Sequence, residues 1–148
     1  MHLNEEQIEE LEKIYRINLI NSCSGYKSAN LIGTVSKKGE ENLAIFSSIT
    51  HLGSNPPLLG FFLRPTEIVP RHTYLNIKEK LFYTINSVQK KFADKAHHTS
   101  AKYKRNISEF DITKLEAQYI YIFIAPYVKL YSINIGMKFV EVIKINYN

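Results

Sequence analysis

The sequence predicts a mostly-β fold of antiparallel strands preceded by an N-terminal helix. Three observations carry this. Asn30 to Ser36 and the strand opening at Asn42 are joined by Lys37-Lys38-Gly39-Glu40-Glu41-Asn42, a hairpin-length connection that makes the pair antiparallel. Leu58 to Leu63 is almost wholly apolar, the pattern of a strand buried on both faces. Lys80 to Ser87 (KLFYTINS) is rich in β-formers, and ten Tyr and eight Phe suit a β-rich core.

Asn4 to about Leu19 predicts one amphipathic helix. Asn4 can cap it with Gln7 reaching back, Ile8, Leu11 and Tyr15 share a face, and Glu5, Glu6, Glu9 and Glu10 sit near the positive end. Asn21 to Gly25 is a loop, in which the lone Cys23 is expected to be a small packed residue. Thr73 to Lys80 predicts a short helix and Gln89 to His98 a basic one. Ile112 to Tyr119 is either a short helix or irregular. Tyr119 to Ile124 (YIYIFI) reads as a strand by composition, and Ile133, Ile135, Met137, Phe139, Ile143 and Ile145 alternate along a final strand.

At 148 residues the chain is expected to form a single domain, 1–148, with 45% hydrophobic residues arguing against disorder. One cysteine excludes an internal disulfide and suits a reducing cytoplasm. The longest apolar runs fall short of the roughly 20 residues that span a bilayer, so no membrane partner is expected. The net charge of +5 fits either a basic surface or an anionic ligand. Lysines thicken between Lys90 and Arg105, but no nucleic-acid motif accompanies them, so nucleic acid is the weaker partner.

The glycines make neither G-x-G-x-x-G nor a P-loop. No histidine pair has the i, i+4 spacing of a helical zinc site, so no metal is expected. Ser47, His72 and Asp94 could be assembled into a hydrolase triad, but nothing like G-x-S-x-G surrounds a serine.

The informative stretch is Asn42 to Ile77. A strand ends in small polar residues, Ser47, Ser48 and Thr50, and Gly53-Ser54-Asn55-Pro56-Pro57 turns the chain. A second strand ends at Arg64-Pro65, and Arg71-His72-Thr73 then opens a helix bearing Asn76. Hydroxyls, two arginines and a helix start in one unit suit a phosphate: arginine grips it with a planar fork, and the helix offers unpaired N–H groups. Each residue also has an ordinary reading. The serines could be strand-end polar groups, the arginines surface charges, and Thr73 and Asn76 plain helix residues.

The pattern AxFSSxTHLGSNPPLLGFxxRP…RHTYxNI resembles the flavin reductase-like group of FMN-binding split-barrel proteins. So do NLINSCSGYKSANLIGTV (18–35), AHHTSAKYKRNISEFD (96–111) and IGMKFVE (135–141), so the resemblance runs nearly the whole chain. It implies a split barrel with FMN as cofactor and NADH or NADPH as hydride donor, which makes flavin and nicotinamide nucleotide the partners. It also implies a homodimer with flavin at the subunit interface. Ser47, Ser48, Ile49, Thr50, Arg64, Arg71, His72, Thr73, Asn76, Thr99 and Ser100 would then line the cofactor, with no protein group named as catalytic because flavin carries the chemistry. Arg64 and Thr73 are expected to hold the phosphate with Arg71 assisting, and Arg105 to lie outside the cradle. Two departures are visible: YIYIFI is more apolar than the group's pattern, and the strands that follow IGMKFVE in the group are not in the sequence, so the barrel is expected to be incomplete at its C-terminal end. The alternatives are a non-catalytic FMN carrier, an inactive remnant and, less favoured, a nucleic-acid binder.

Overall fold

The computed structural model describes residues 2–64 and 70–145. In chain order the elements are helices α1 (Glu5–Glu10) and α2 (Lys13–Ser22), then strands β1 (Asn30–Val35), β2 (Glu41–Phe46), β3 (Thr50–Ser54) and β4 (Pro57–Gly60). Helix α3 (His72–Lys80) and strand β5 (Phe82–Ser87) follow, then a 3-10 turn at Lys90–Phe92, helices α4 (Ala93–His98) and α5 (Glu109–Thr113), and strands β6 (Ala117–Gln118), β7 (Tyr127–Val128) and β8 (Asn134–Lys138).

The main sheet has four antiparallel strands in the order β2-β1-β5-β8 and is open. Strand β1 is central and buried along its whole length. Its side chains alternate between two layers. Leu31 joins Leu43, Ala96, Phe110, Leu115, Val128 and Tyr131 on one face. Ile32 joins Ile77, Tyr83 and Ile85 on the other, with Phe46, Ile49, Leu59 and Phe61 packed against them. Each fully buried Leu or Ile contributes roughly 1.5–3 kcal/mol of transfer free energy, so both layers are needed to hold β1. Helix α3 and the β3–β4 hairpin therefore lie on the Ile32 face, and α4 and α5 on the Leu31 face.

Gly33 permits a close crossing. A Cβ there would overlap the Pro126 carbonyl oxygen and stand 2.6 Å from Thr84 Oγ1. The segment before β7 runs at that point over β1 and β5, where the Thr84 hydroxyl donates to the Pro126 carbonyl at 2.6 Å. At the outer strand, the Glu109 carboxylate accepts from the Leu43 N–H at 2.9 Å, so a side chain of α5 meets β2 where another strand could have paired.

Several sequence expectations need correcting. The N-terminal helix is two helices: Leu11 is extended (ψ 143°), and Glu12 caps α2 by accepting from the N–H groups of Ile14 and Tyr15, both at 2.9 Å. Strand 58–63 is shorter and less buried than its composition suggests. It runs only from Pro57 to Gly60, half exposed, because the Ser48 hydroxyl takes both the N–H and the C=O of Phe62 that a longer ladder would use. YIYIFI is not a strand. Tyr121 turns through positive φ (54°), and Phe123 folds back onto Phe82 and Tyr127 at centroid distances of 5.7 and 5.5 Å. The final strand stops at Lys138 rather than Ile145. Cys23 is exposed rather than packed.

Candidate functional site

Helix α3 begins without a side-chain cap among the described residues. Arg71 takes the N-cap position in extended conformation (φ −107°, ψ 100°) and makes no capping bond. The first helical bond runs from the Leu75 N–H to the Arg71 carbonyl at 3.0 Å. The N–H groups of His72, Thr73 and Tyr74 thus have no acceptor within the helix and point along its positive end. At the N-cap itself, Arg71 Nε is buried and has no hydrogen-bond partner among the described residues. A buried donor without an acceptor is costly unless something else supplies one. An uncapped helix start and an orphaned guanidinium nitrogen together fit an anionic group such as a phosphate.

Beneath this turn lies a buried polar network. Thr34 and Asn42 face each other across β1 and β2. Asn42 Nδ2 donates to Thr73 Oγ1 at 3.0 Å and to Thr34 Oγ1 at 3.4 Å, and Asn76 Nδ2 donates to Thr34 Oγ1 at 3.1 Å. Thr73 thereby acts as an acceptor inward, and its own proton goes to no described acceptor. Asn76 is 2% exposed, with its amide engaged at both ends, so it holds α3 in place.

The polar strand end lies on the same face. Ile49 packs with Ile32 and Ile77, which brings 47–50 and α3 to one hydrophobic layer. Ser48 Oγ accepts from the Phe62 N–H at 3.1 Å and donates to the Phe62 carbonyl at 3.3 Å, so its hydroxyl latches this loop to the chain after β4. Thr50 Oγ1 donates to the Ser48 carbonyl at 3.4 Å. Ser47 is exposed and makes none of the described side-chain hydrogen bonds. Arg64 is exposed, and the residues that join it toward α3 lie outside the described chain. Thr99 and Ser100 stand apart from this group. They follow α4, whose Ala96 packs in the Leu31 layer, and the Thr99 hydroxyl donates to the Ala96 carbonyl at 2.8 Å while Ser100 is exposed.

Arg105 was expected outside this region and is not. Its Nη2 donates to Asn76 Oδ1 at 3.3 Å, and its guanidinium pairs with Glu40 and Glu79, each at 3.5 Å. It is 29 residues from Asn76 in sequence, so no local pattern could reveal the contact. His72 lies close by. Burial pushes its imidazole below the ordinary histidine range and the Arg105 charge adds to that, while Glu40 works against both.

Two open grooves mark the surface. One, of about 440 Å³, is lined by Ser36, Lys37, Lys38, Glu40, Glu79 and Arg105. The other, of about 470 Å³, is apolar and lined by Phe82, Tyr127 and residues 120–124. Neither is lined by Arg71 or Ser47. Among the described residues no cluster of three His, Cys, Asp or Glu could hold a metal ion, and no helix is long and apolar enough to cross a membrane.

The fold and this segment have close counterparts. The chain is 48% identical to a split-barrel protein of flavin-reductase type from Shewanella frigidimarina NCIMB 400, covering 95% of this chain and 69% of that one, with a TM-score of 0.90. At 20% identity it matches nitrilotriacetate monooxygenase component B from Bacillus cereus over 100% of this chain and 72% of that one (TM-score 0.86). It also matches, at 20% identity, the 2-nitrobenzoate 2-nitroreductase of Pseudomonas fluorescens, over 97% and 67% (TM-score 0.80). These last two show the fold alone. No curated protein matches. The family model for the flavin reductase like domain covers residues 23–147, from the loop before β1 through β8. The open antiparallel sheet is therefore that of the split barrel, and the chain belongs to the flavin reductase like domain family.

Proposed function

We propose that this protein binds FMN and reduces flavin with NADH or NADPH. The observation that carries the reading is the start of α3, where Arg71 stands at the N-cap with a buried Nε and the N–H groups of His72, Thr73 and Tyr74 follow it, none of them with a partner among the described residues. In a chain of this family, that arrangement suits the FMN phosphate. Arg71 would supply charge and direction, Thr73 a hydroxyl proton, and the helix start its positive potential. Arg64 would approach from the end of the second strand. Ser47, Thr50 and the peptide backbone at Ile49 would lie along the ribityl chain, with Ser48 holding that loop in place.

Bound flavin supplies hydride acceptance from a nicotinamide, so the chain need only bind, orient and shield. In this reading residues 1–148 form one domain that works as a cytoplasmic homodimer. Thr99 and Ser100 would reach the flavin's polar rim from the Leu31 side of the sheet or from a partner copy.

The test is direct. FMN and riboflavin are titrated into purified protein by fluorescence quenching, and NADH or NADPH oxidation is followed with FMN present. Saturable binding with FMN favoured over riboflavin, plus flavin-dependent oxidation, supports the reading. Binding without oxidation identifies an FMN carrier, and absence of binding overturns the assignment. Sedimentation with and without FMN reads the oligomeric state.

A further inference from the structure

We propose that Arg105 is a positioning residue for phosphate recognition at the start of α3. It contacts no proposed ligand atom and works through Asn76. This inference rests on the FMN reading above.

Arg105 addresses one face of α3. His72, Asn76 and Glu79 fall at i, i+4 and i+7 and so share that face. The guanidinium donates to Asn76 at 3.3 Å, pairs with Glu79 one turn further on, and pairs with Glu40 in the β1–β2 hairpin. Because these ion pairs are a third exposed, they contribute little as charges alone. Their geometry matters more. A planar guanidinium presents its donors in fixed directions toward all three acceptors, whereas an ammonium on a flexible stem imposes no such geometry.

Arginine can only donate, so Asn76 must present Oδ1 to it and turn Nδ2 inward to Thr34. Asn42, opposite Thr34, holds Thr73. Two successive turns of α3 are thereby fixed to one cross-strand pair, the first through Thr73 and the second through Asn76. The first turn carries Arg71 at its N-cap and the N–H groups that have no acceptor among the described residues. Without Arg105 the Asn76 amide is free to rotate, the second anchor loosens, and the donors of the first turn lose their common aim. Riboflavin, lacking the phosphate, does not use those donors.

The experiment therefore reads a ratio. FMN and riboflavin affinities are measured in wild type, Arg105→Ala, Arg105→Lys and Val128→Ala, with thermal melts of each. Val128 is buried in the opposite layer and serves as the control for general loosening. Both Arg105 variants are expected to lose about tenfold of the FMN preference, as for the loss of a hydrogen bond to a charged group, with riboflavin affinity within about twofold of wild type. Val128→Ala should melt lower and keep the preference. If Arg105→Ala does not fold, Arg105→Lys decides, because it keeps the charge and most of the stem. An undiminished preference in the folded Arg105 variants overturns the inference and leaves the FMN reading intact. An equal loss in Val128→Ala overturns it too, by assigning the effect to stability. A wild type with no preference for FMN overturns the functional reading itself.

Discussion

The Glu109 carboxylate accepts the Leu43 backbone N–H at 2.9 Å across 66 residues of sequence, tying α5 to the outer strand of the sheet. Burial raises the carboxyl above its ordinary range, and the bonds from the Leu43 and Glu109 N–H groups only partly offset this. The folded state therefore holds the proton more tightly than the unfolded state. Its stabilising contribution is complete below the unfolded pKa and is lost as pH rises through the higher folded one. Glu109→Gln keeps an oxygen for Leu43 and carries no charge. It should melt higher than wild type at pH 7 to 8 and converge with it below the ordinary carboxylate range. Glu109→Leu, which leaves the N–H unpaired, should lose about 1–3 kcal/mol. Thermal melts from pH 4 to 8 read both.

Removing the orphaned guanidinium tests the phosphate site. Arg71→Ala should weaken FMN binding by about 1.5–3 kcal/mol, roughly tenfold to a hundredfold, and riboflavin far less. Arg64→Ala, from an exposed position, should act in the same direction if that side chain also reaches the phosphate. Flavin titrations of the two variants rank the arginines.

Ser48→Ala should behave differently from Ser47→Ala. The first removes both bonds to the Phe62 backbone, so it should lower stability by about 1–2 kcal/mol and weaken both flavins together. The second removes an exposed hydroxyl and should leave the melt unchanged. Urea unfolding and the paired titrations separate a latch from a ligand contact.

Gly33→Ala should be severe for its size. The added methyl meets the Pro126 carbonyl and Thr84 Oγ1, both held in place by their mutual bond. Overpacking of this kind costs about 1–3 kcal/mol or more. Denaturant midpoints against an exposed alanine substitution elsewhere measure it.

The parts of this fold that were legible in sequence are local. The β1–β2 hairpin follows from two apolar runs around Gly39, which sits at φ 85° in the turn, and β5 follows from its β-formers. Helix α3 was placed to within one residue by the chain after Arg71. The failures are tertiary. YIYIFI has strand composition, but Phe123 finds its partners in Phe82 and Tyr127 across the fold. The break at Glu12 depends on a glutamate capping a helix, outside the favoured Ser, Thr, Asp and Asn caps. In the candidate site, Arg71 and the helix start are neighbours along the chain and so legible in sequence. The Thr34, Asn42, Asn76 and Arg105 network is not, since its bonds span 31, 42 and 29 residues.

The two outer strands of the sheet are unequal. At β2 a buried carboxylate and helix α5 occupy the rim, while β8 pairs with β5 on one side and has Ile135 partly exposed. A sheet blocked on one flank can accept an added strand only on the other. Among the described residues β8 carries a strand on one side only, so pairing between two copies through it would stop at two. Fibrous growth would require Glu109 to let go of Leu43, which links the propensity to form long aggregates to the protonation and packing of a single glutamate.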